Sequence, residues 1–266
     1  MQLRRLNFAL KYLKYILLAS HRRGHGIHSP FAFNLIHNVW QQHLNAGILE
    51  KLRFLDAKNR KDSILVNVRR VGAGSLVTKK EMRSVSSIFR SASIPKRYGR
   101  LLYATTAYFK PDMVLEFGTS LGISSAWLAL GNPQCELYTV EAIAALAEKA
   151  RENHRAIGLQ NTHILNLDFE QFMQEFDLPK KKKYLLYIDG NHTRKATLQM
   201  FAFALQHLYT PHLVVIIDDI HWSAGMEQAW QQIQKHHQVT LTLDIFRMGF
   251  VFFNSDLYPQ NFIINY

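Results

Sequence analysis

The sequence predicts an α/β protein. Its mostly parallel seven-stranded sheet ends in an antiparallel hairpin and follows an α-helical N-terminal extension. Three observations predict this. From Pro111 onward, apolar runs of strand length alternate five times with helix-like runs, which is the pattern of consecutive βα units. The chain then closes on VTLTLDI, a turn and FVFFN, two strand-like runs too close together for a helical crossover. Before about residue 95 the apolar residues recur every three or four positions instead of every two.

Leu3, Leu6, Leu10, Leu13 and Leu17 predict a first helix with one apolar stripe. HRRGHGIHSP breaks it with Gly24, Gly26 and Pro30, and HGIHSP (25–30) is a candidate lid. FAFNLIHNVWQQ reads as a second helix and 47–61 as a third, VGAGS (71–75) as a flexible turn, and 79–91 and 96–109 as two more helices. The βα series follows: MVLEF with ISSAWLAL, ELYTVE with a helix ending at Gly158, THILNLD with FEQFMQEF, YLLYIDG with TRKATLQMFAFALQHL, and HLVVIIDD with SAGMEQAWQQIQKHH. The arrangement is Rossmann-like, with 1–94 as a basic helical extension or cap and 95–266 as the α/β domain.

The 266 residues suit one large domain plus an extension. The single Cys135 excludes a disulfide framework or a multi-cysteine zinc site, so a reducing cytoplasm is the expected compartment. Lys11 and Lys14 interrupt what would otherwise resemble the apolar core of a signal peptide. Of the net charge of +12, residues 1–110 carry 21 Lys/Arg against 4 Asp/Glu, whereas 111–266 carry 11 against 16. Such asymmetry points the extension at something acidic, a nucleic acid or an anionic membrane surface; a cap or homodimer role for its leucines is the plainer reading.

The chemistry concentrates at strand ends. In LEFGTSLGISSAW, Gly118 and Gly122 are too close for a phosphate-binding GxxxxGK[ST] loop, and Ser120 stands where a dinucleotide fingerprint needs glycine. What remains is Glu116, two glycines, and Ser120 and Ser124 at a strand-to-helix turn. It suits a ligand with an amino-acid end, whose carboxylate meets helix N–H groups and whose ammonium meets Glu116. Glu141 ends the next strand, where a carboxylate can accept from ribose hydroxyls. Asp168 ends the third, with Phe169 beside it for an adenine ring. Any of these acids can equally serve as a helix cap.

LEFGTSLGISSAWLA, YTVE and NLDF, together with the closing hairpin, resemble class I S-adenosylmethionine-dependent methyltransferases over roughly 95–266; the whole chain is similar to an uncharacterised bacterial group of them. The resemblance implies that Gly118, Thr119, Ser120 and Gly122 line the methionine end of the cofactor. It also implies that Glu141 with Ala142 holds the ribose, that Asp168 with Phe169 holds the adenine, and that Asp189 lies along the same site.

Asp189 with His192, and Asp218 with Asp219, end the fourth and fifth strands. Three carboxylates gathered together need a cation or protons, and oxygen ligands favour Mg²⁺, Mn²⁺ or Ca²⁺. The pattern is similar to catechol O-methyltransferase-type enzymes, which implies a metal on Asp189, Asp218 and Asp219; here Asp219 replaces asparagine and His192 replaces the lysine base. His192 and Asp189 are then the catalytic candidates, with His221 and Trp222 near the acceptor. The expected acceptor is an oxygen of a small molecule. RNA methylation is a second reading, although IDGN replaces the Asn-Pro-Pro-Tyr type motif; a non-catalytic or membrane-peripheral cofactor-binding protein is a third.

Overall fold

The computed structural model describes residues 11–19, 21–22, 27–68 and 81–266. Leu3, Leu6, Leu10, most of the HGIHSP segment's first half and the VGAGS turn lie outside them. The chain forms two compact units, one of residues 1–41 with 180–266 and one of 42–179.

In the 42–179 unit, helix α3 (Ala46–Lys61) is capped by Asn45, whose side chain accepts from Ile48 N. Strands β2 (Leu65–Asn67) and β3 (Met82–Ser84) form a small antiparallel ribbon, and Ser84 caps α4 (Val85–Ala92). The helix expected over 79–91 therefore starts only at Val85 within the described residues. Helix α5 (Lys96–Phe109) packs on α6 (Ile123–Gly131), close enough that a Cβ on Gly99 would overlap the Trp127 ring. This packing holds α5 against the glycine loop's own helix.

Strand β4 (Met113–Phe117) pairs in parallel with β5 (Glu136–Val140), and β5 with β6 (Thr162–Leu165). Helix α7 (Ala144–Ala156) follows β5, and α8 (Phe169–Glu175) follows β6. All five residues of β4 are buried, as expected of a parallel strand covered on both faces. Its Leu115 and Phe117 belong to the core, where each fully buried apolar side chain is worth roughly 1.5–3 kcal/mol.

In the other unit, helix α1 (residues 11–18) and a two-residue strand β1 (His21–Arg22) precede α2 (Pro30–Asn34), which widens into a π-helical turn at Leu35–Val39. Strand β7 (Tyr184–Ile188) leads to α9 (Arg194–His207), and β8 (Val214–Asp218) to α10 (Ala224–Gln234). Thr193 and Ser223 cap the two helices, which pack on each other. Strands β9 (Leu241–Asp244) and β10 (Met248–Phe252) form the closing hairpin, with β10 antiparallel to both β8 and β9.

The expected seven strands are all present, and two more extend the hairpin's side. Strand β11 (Gln260–Asn265) lies parallel to β9, and β1 lies parallel to β11. The N-terminal segment also docks here, with Phe31 edge-on to Phe252 at 5.1 Å and Trp40 against Phe250 at 4.8 Å. Among the described residues no helix is long and apolar enough to cross a membrane.

Candidate functional site

The glycine loop turns between β4 and α6 through three positive-φ residues, Gly118 (109°), Ser120 (48°) and Gly122 (74°). Gly118 and Thr119 donate their N–H groups to Val140 O, which moors the loop to the end of β5. Gly122 is the N-cap of α6 and carries no side-chain cap, so the helix's first turn presents backbone N–H groups. A Cβ at Gly122 would lie 2.7 Å from His154 Nε2, so its φ and its neighbour both demand glycine.

Glu141 serves this loop directly. Its Oε2 accepts from Ser120 N and its Oε1 from Ile143 N, both at 2.9 Å, and the residue is buried. The exposed Ala142 sits between these two turns. Asp168 is the N-cap of α8, with Oδ1 accepting from Gln171 N at 2.8 Å, and it stays exposed; Phe169 beside it packs edge-on against Phe117. The capping alternative thus holds for Asp168 and accounts for one of its oxygens.

Glu116 lies beneath the loop with none of its surface exposed. Thr139 Oγ1 donates to its Oε2 at 2.6 Å and, having one proton, accepts in turn from Thr119 Oγ1 at 2.6 Å. Oε1 is buried with no hydrogen-bond partner among the described residues. Burial pushes the carboxyl up to about 7, against the pull of the nearby Ser124, Thr139 and Ser125 hydroxyls.

The sign follows from linkage. The folded chain holds a proton that the unfolded chain releases near the ordinary value of 4.5, so stability falls as pH rises from there to about 7, by about 3 kcal/mol, and is level above. Glu116→Gln is expected to remove that fall. Thermal unfolding should show the variant gaining on the wild type between pH 5 and pH 8; an equal difference at both pH values contradicts this.

Sequence reasoning missed the residues behind the loop. Asn153 on α7 donates to Leu121 O at 2.8 Å and to Asn59 Oδ1 at 3.1 Å, and accepts from Lys58 Nζ at 2.6 Å. His154 Nε2 lies 2.9 Å from Gly122 O, which can only accept, so Nε2 carries the proton. Its Nδ1 then accepts from Thr162 Oγ1 at 2.9 Å, and burial pushes its pKa down to about 4. The available signal was the buried stripe Leu146, Ala147, Ala150 of α7, which continues into these two polar residues.

In the other unit, Asp218, one of the carboxylates expected to hold a metal, pairs with a protein cation. Arg247 grips the fully buried Asp218 with both arms, Nε to Oδ1 at 3.1 Å and Nη2 to Oδ2 at 2.9 Å, and its Nη2 lies 4.0 Å from Asp219 Oδ1. Among the described residues no group of three or more His, Cys, Asp or Glu is arranged to hold a metal ion. Of Asp189, Asp218 and Asp219, the three residues read as metal ligands, Asp218 places both oxygens on a guanidinium, while Asp189 and Asp219 stand beside His192. Burial works to lower the Arg247 pKa, yet the charge and hydrogen bonds of Asp218, with Asp219, carry it well above the ordinary value.

His192 Nε2 stands 3.6 Å from Asp189 Oδ1 and 3.9 Å from Asp219 Oδ2, all three partly exposed. Burial first, then the Asp218 charge, raises the Asp219 pKa, while Arg247 and His192 oppose the rise. His221, expected near the acceptor, turns instead to the hairpin, with Nε2 2.8 Å from Asp244 Oδ2 and Nδ1 3.2 Å from Glu227 Oε1. Trp222 is exposed.

With this geometry in place, residues 115–220 match the family Methyltransf_24, described as a methyltransferase domain. The chain is 46% identical over 55 residues to a protein-L-isoaspartate O-methyltransferase of Ignicoccus hospitalis, covering 20% of this chain and 26% of that one. It thus spans about a quarter of the length of such curated relatives. An O-methyltransferase from Streptomyces achromogenes, solved with S-adenosylmethionine, shares the fold with a TM-score of 0.53 at 20% identity over 62% of this chain and 82% of that one. An O-methyltransferase from Bacillus cereus, solved with S-adenosylhomocysteine, has a TM-score of 0.54 at 18% identity over 80% and 93%.

Proposed function

We propose that this protein transfers a methyl group from S-adenosylmethionine to an oxygen of a small molecule, a reading supported by the match of residues 115–220 to a methyltransferase domain and by the fold shared with O-methyltransferases solved with S-adenosylmethionine or S-adenosylhomocysteine. The observation that carries the cofactor assignment is the loop itself. A helix N-terminus without a side-chain cap adjoins a buried Glu116 whose Oε1 lacks a partner, so one acceptor and several donors fit the ammonium and carboxylate of an amino acid.

Glu141 accepts from the Ser120 and Ile143 amides at the end of its strand, a place where a carboxylate suits ribose hydroxyls. Asp168 with Phe169 is the candidate adenine contact. Thr119, Ser124 and Gly118 complete the loop, whose form Asn153 and His154 fix from behind. S-adenosylmethionine supplies a methyl group activated by its sulfonium.

His192 is the proposed base, taking the acceptor's hydroxyl proton, with Asp189 and Asp219 oriented to stabilise the imidazolium that results. Arg247, held by Asp218, also stands 4.0 Å from Asp219 and offsets part of the negative charge there. The O-methyltransferases among the similar structures support oxygen as acceptor. Calorimetric titration of the purified chain with S-adenosylmethionine tests the cofactor half of this reading.

A further inference from the structure

Helix α1 lies on the hairpin by a face other than its leucine stripe. Its inward residues are Lys11, Tyr15 and Ala19. Tyr15 and Ala19 form a small core with Phe246, to which Tyr12 adds an edge-on ring at 5.0 Å. The Tyr15 hydroxyl donates to Ile264 O, and Lys11 Nζ pairs with Glu227 Oε2 at 2.9 Å beside His221. These contacts fix the helix's rotation.

The opposite side then carries Leu13, 55% exposed, and Leu17, 77% exposed, with Ile16 and Leu18 exposed beside them. These are the last two members of the stripe begun by Leu3, Leu6 and Leu10. An apolar stripe built into a helix and then turned to solvent marks an interaction surface.

We infer that α1 lies in the plane of an anionic lipid surface, its exposed leucines entering the headgroup boundary. Charge selects this occupant. The first 49 residues contain six Lys/Arg and no Asp/Glu, and exposed Lys14 sits between Leu13 and Leu17. A long lysine side chain can bury its stem along apolar surroundings and place its ammonium among phosphates. A second copy of the same face would bring Lys14 against Lys14, whereas anionic headgroups neutralise it. Among the described residues no helix is long and apolar enough to cross a bilayer, and the contacts of Tyr15 and Lys11 with the hairpin side suit a helix lying along the surface.

Co-sedimentation of the full chain with vesicles tests this independently of any methyl transfer. Binding is expected to phosphatidylglycerol-containing vesicles and not to pure phosphatidylcholine, and to weaken at high salt. Leu17→Asp should reduce affinity roughly tenfold or more, about the loss of one buried leucine, with an unchanged melting temperature because the residue makes no core contact. Failure to bind the anionic vesicles overturns the inference. So does a wild-type dimer in sedimentation velocity that Leu17→Asp converts to monomer, or binding of single-stranded RNA in place of vesicles.

Discussion

Replacing His192 by glutamine is expected to slow methyl transfer roughly 10²–10⁴-fold, the usual loss when a positioned base is removed. Glutamine keeps the size and a hydrogen-bonding end but cannot carry the proton away. The assay is transfer of tritiated methyl from S-adenosylmethionine to a panel of phenols and other small hydroxyl compounds. Cofactor affinity should be unchanged in the same variant, because the side chains that hydrogen-bond the glycine loop, Thr139, Glu141, Asn153 and His154, do not include His192. The wild-type rate should also be indifferent to EDTA, since Arg247 already neutralises Asp218. A glutamine variant with the wild-type rate would remove His192 from the chemistry, and loss of activity in EDTA would restore a metal to it.

The second large effect is on stability. Arg247→Met is expected to destabilise the fold by about 3–5 kcal/mol, because it leaves the fully buried Asp218 carboxylate without its counter-charge. The lower end is favoured, since a quarter of the Arg247 side chain stays exposed and water can reach the gap. Adding Asp218→Asn to Arg247→Met should recover most of the loss, since no buried charge then remains. Thermal unfolding of the two single variants and the double variant measures this. Equal melting temperatures for wild type and Arg247→Met would show that the pair does not hold the hairpin turn to β8.

The βα series was legible because each unit announces itself locally. MVLEF, YLLYI and VVIID are near-continuous apolar runs and are buried at every position, as strands covered on both faces are. Thr193 and Ser223 stand where helix caps belong. The loop and Glu141 could be read from glycine spacing and a strand end. What stayed hidden depends on partners distant in sequence. Arg247 looked like a turn residue, and its partner is 29 positions away. Strand β3 reads as the first turn of α4 because its pairing with β2 leaves no local pattern. Strand β11 is only partly buried, so QNFIIN lacks the alternation that marks an amphipathic strand. Periodicity revealed the leucine stripe of α1 but not which side of the helix the hairpin covers, and Tyr15 with Phe246 decided that.

The proposed function stands or falls on whether the glycine loop holds the cofactor. Isothermal titration of the wild type with S-adenosylmethionine is expected to show binding at one site. Gly122→Ala should abolish it, because the new methyl would sit 2.7 Å from His154 Nε2 in a backbone conformation that alanine rarely adopts. Glu141→Ala should weaken it by freeing the Ser120 and Ile143 amides from their shared anchor. A wild type that takes up no S-adenosylmethionine, or one whose binding survives both substitutions unchanged, would contradict the assignment.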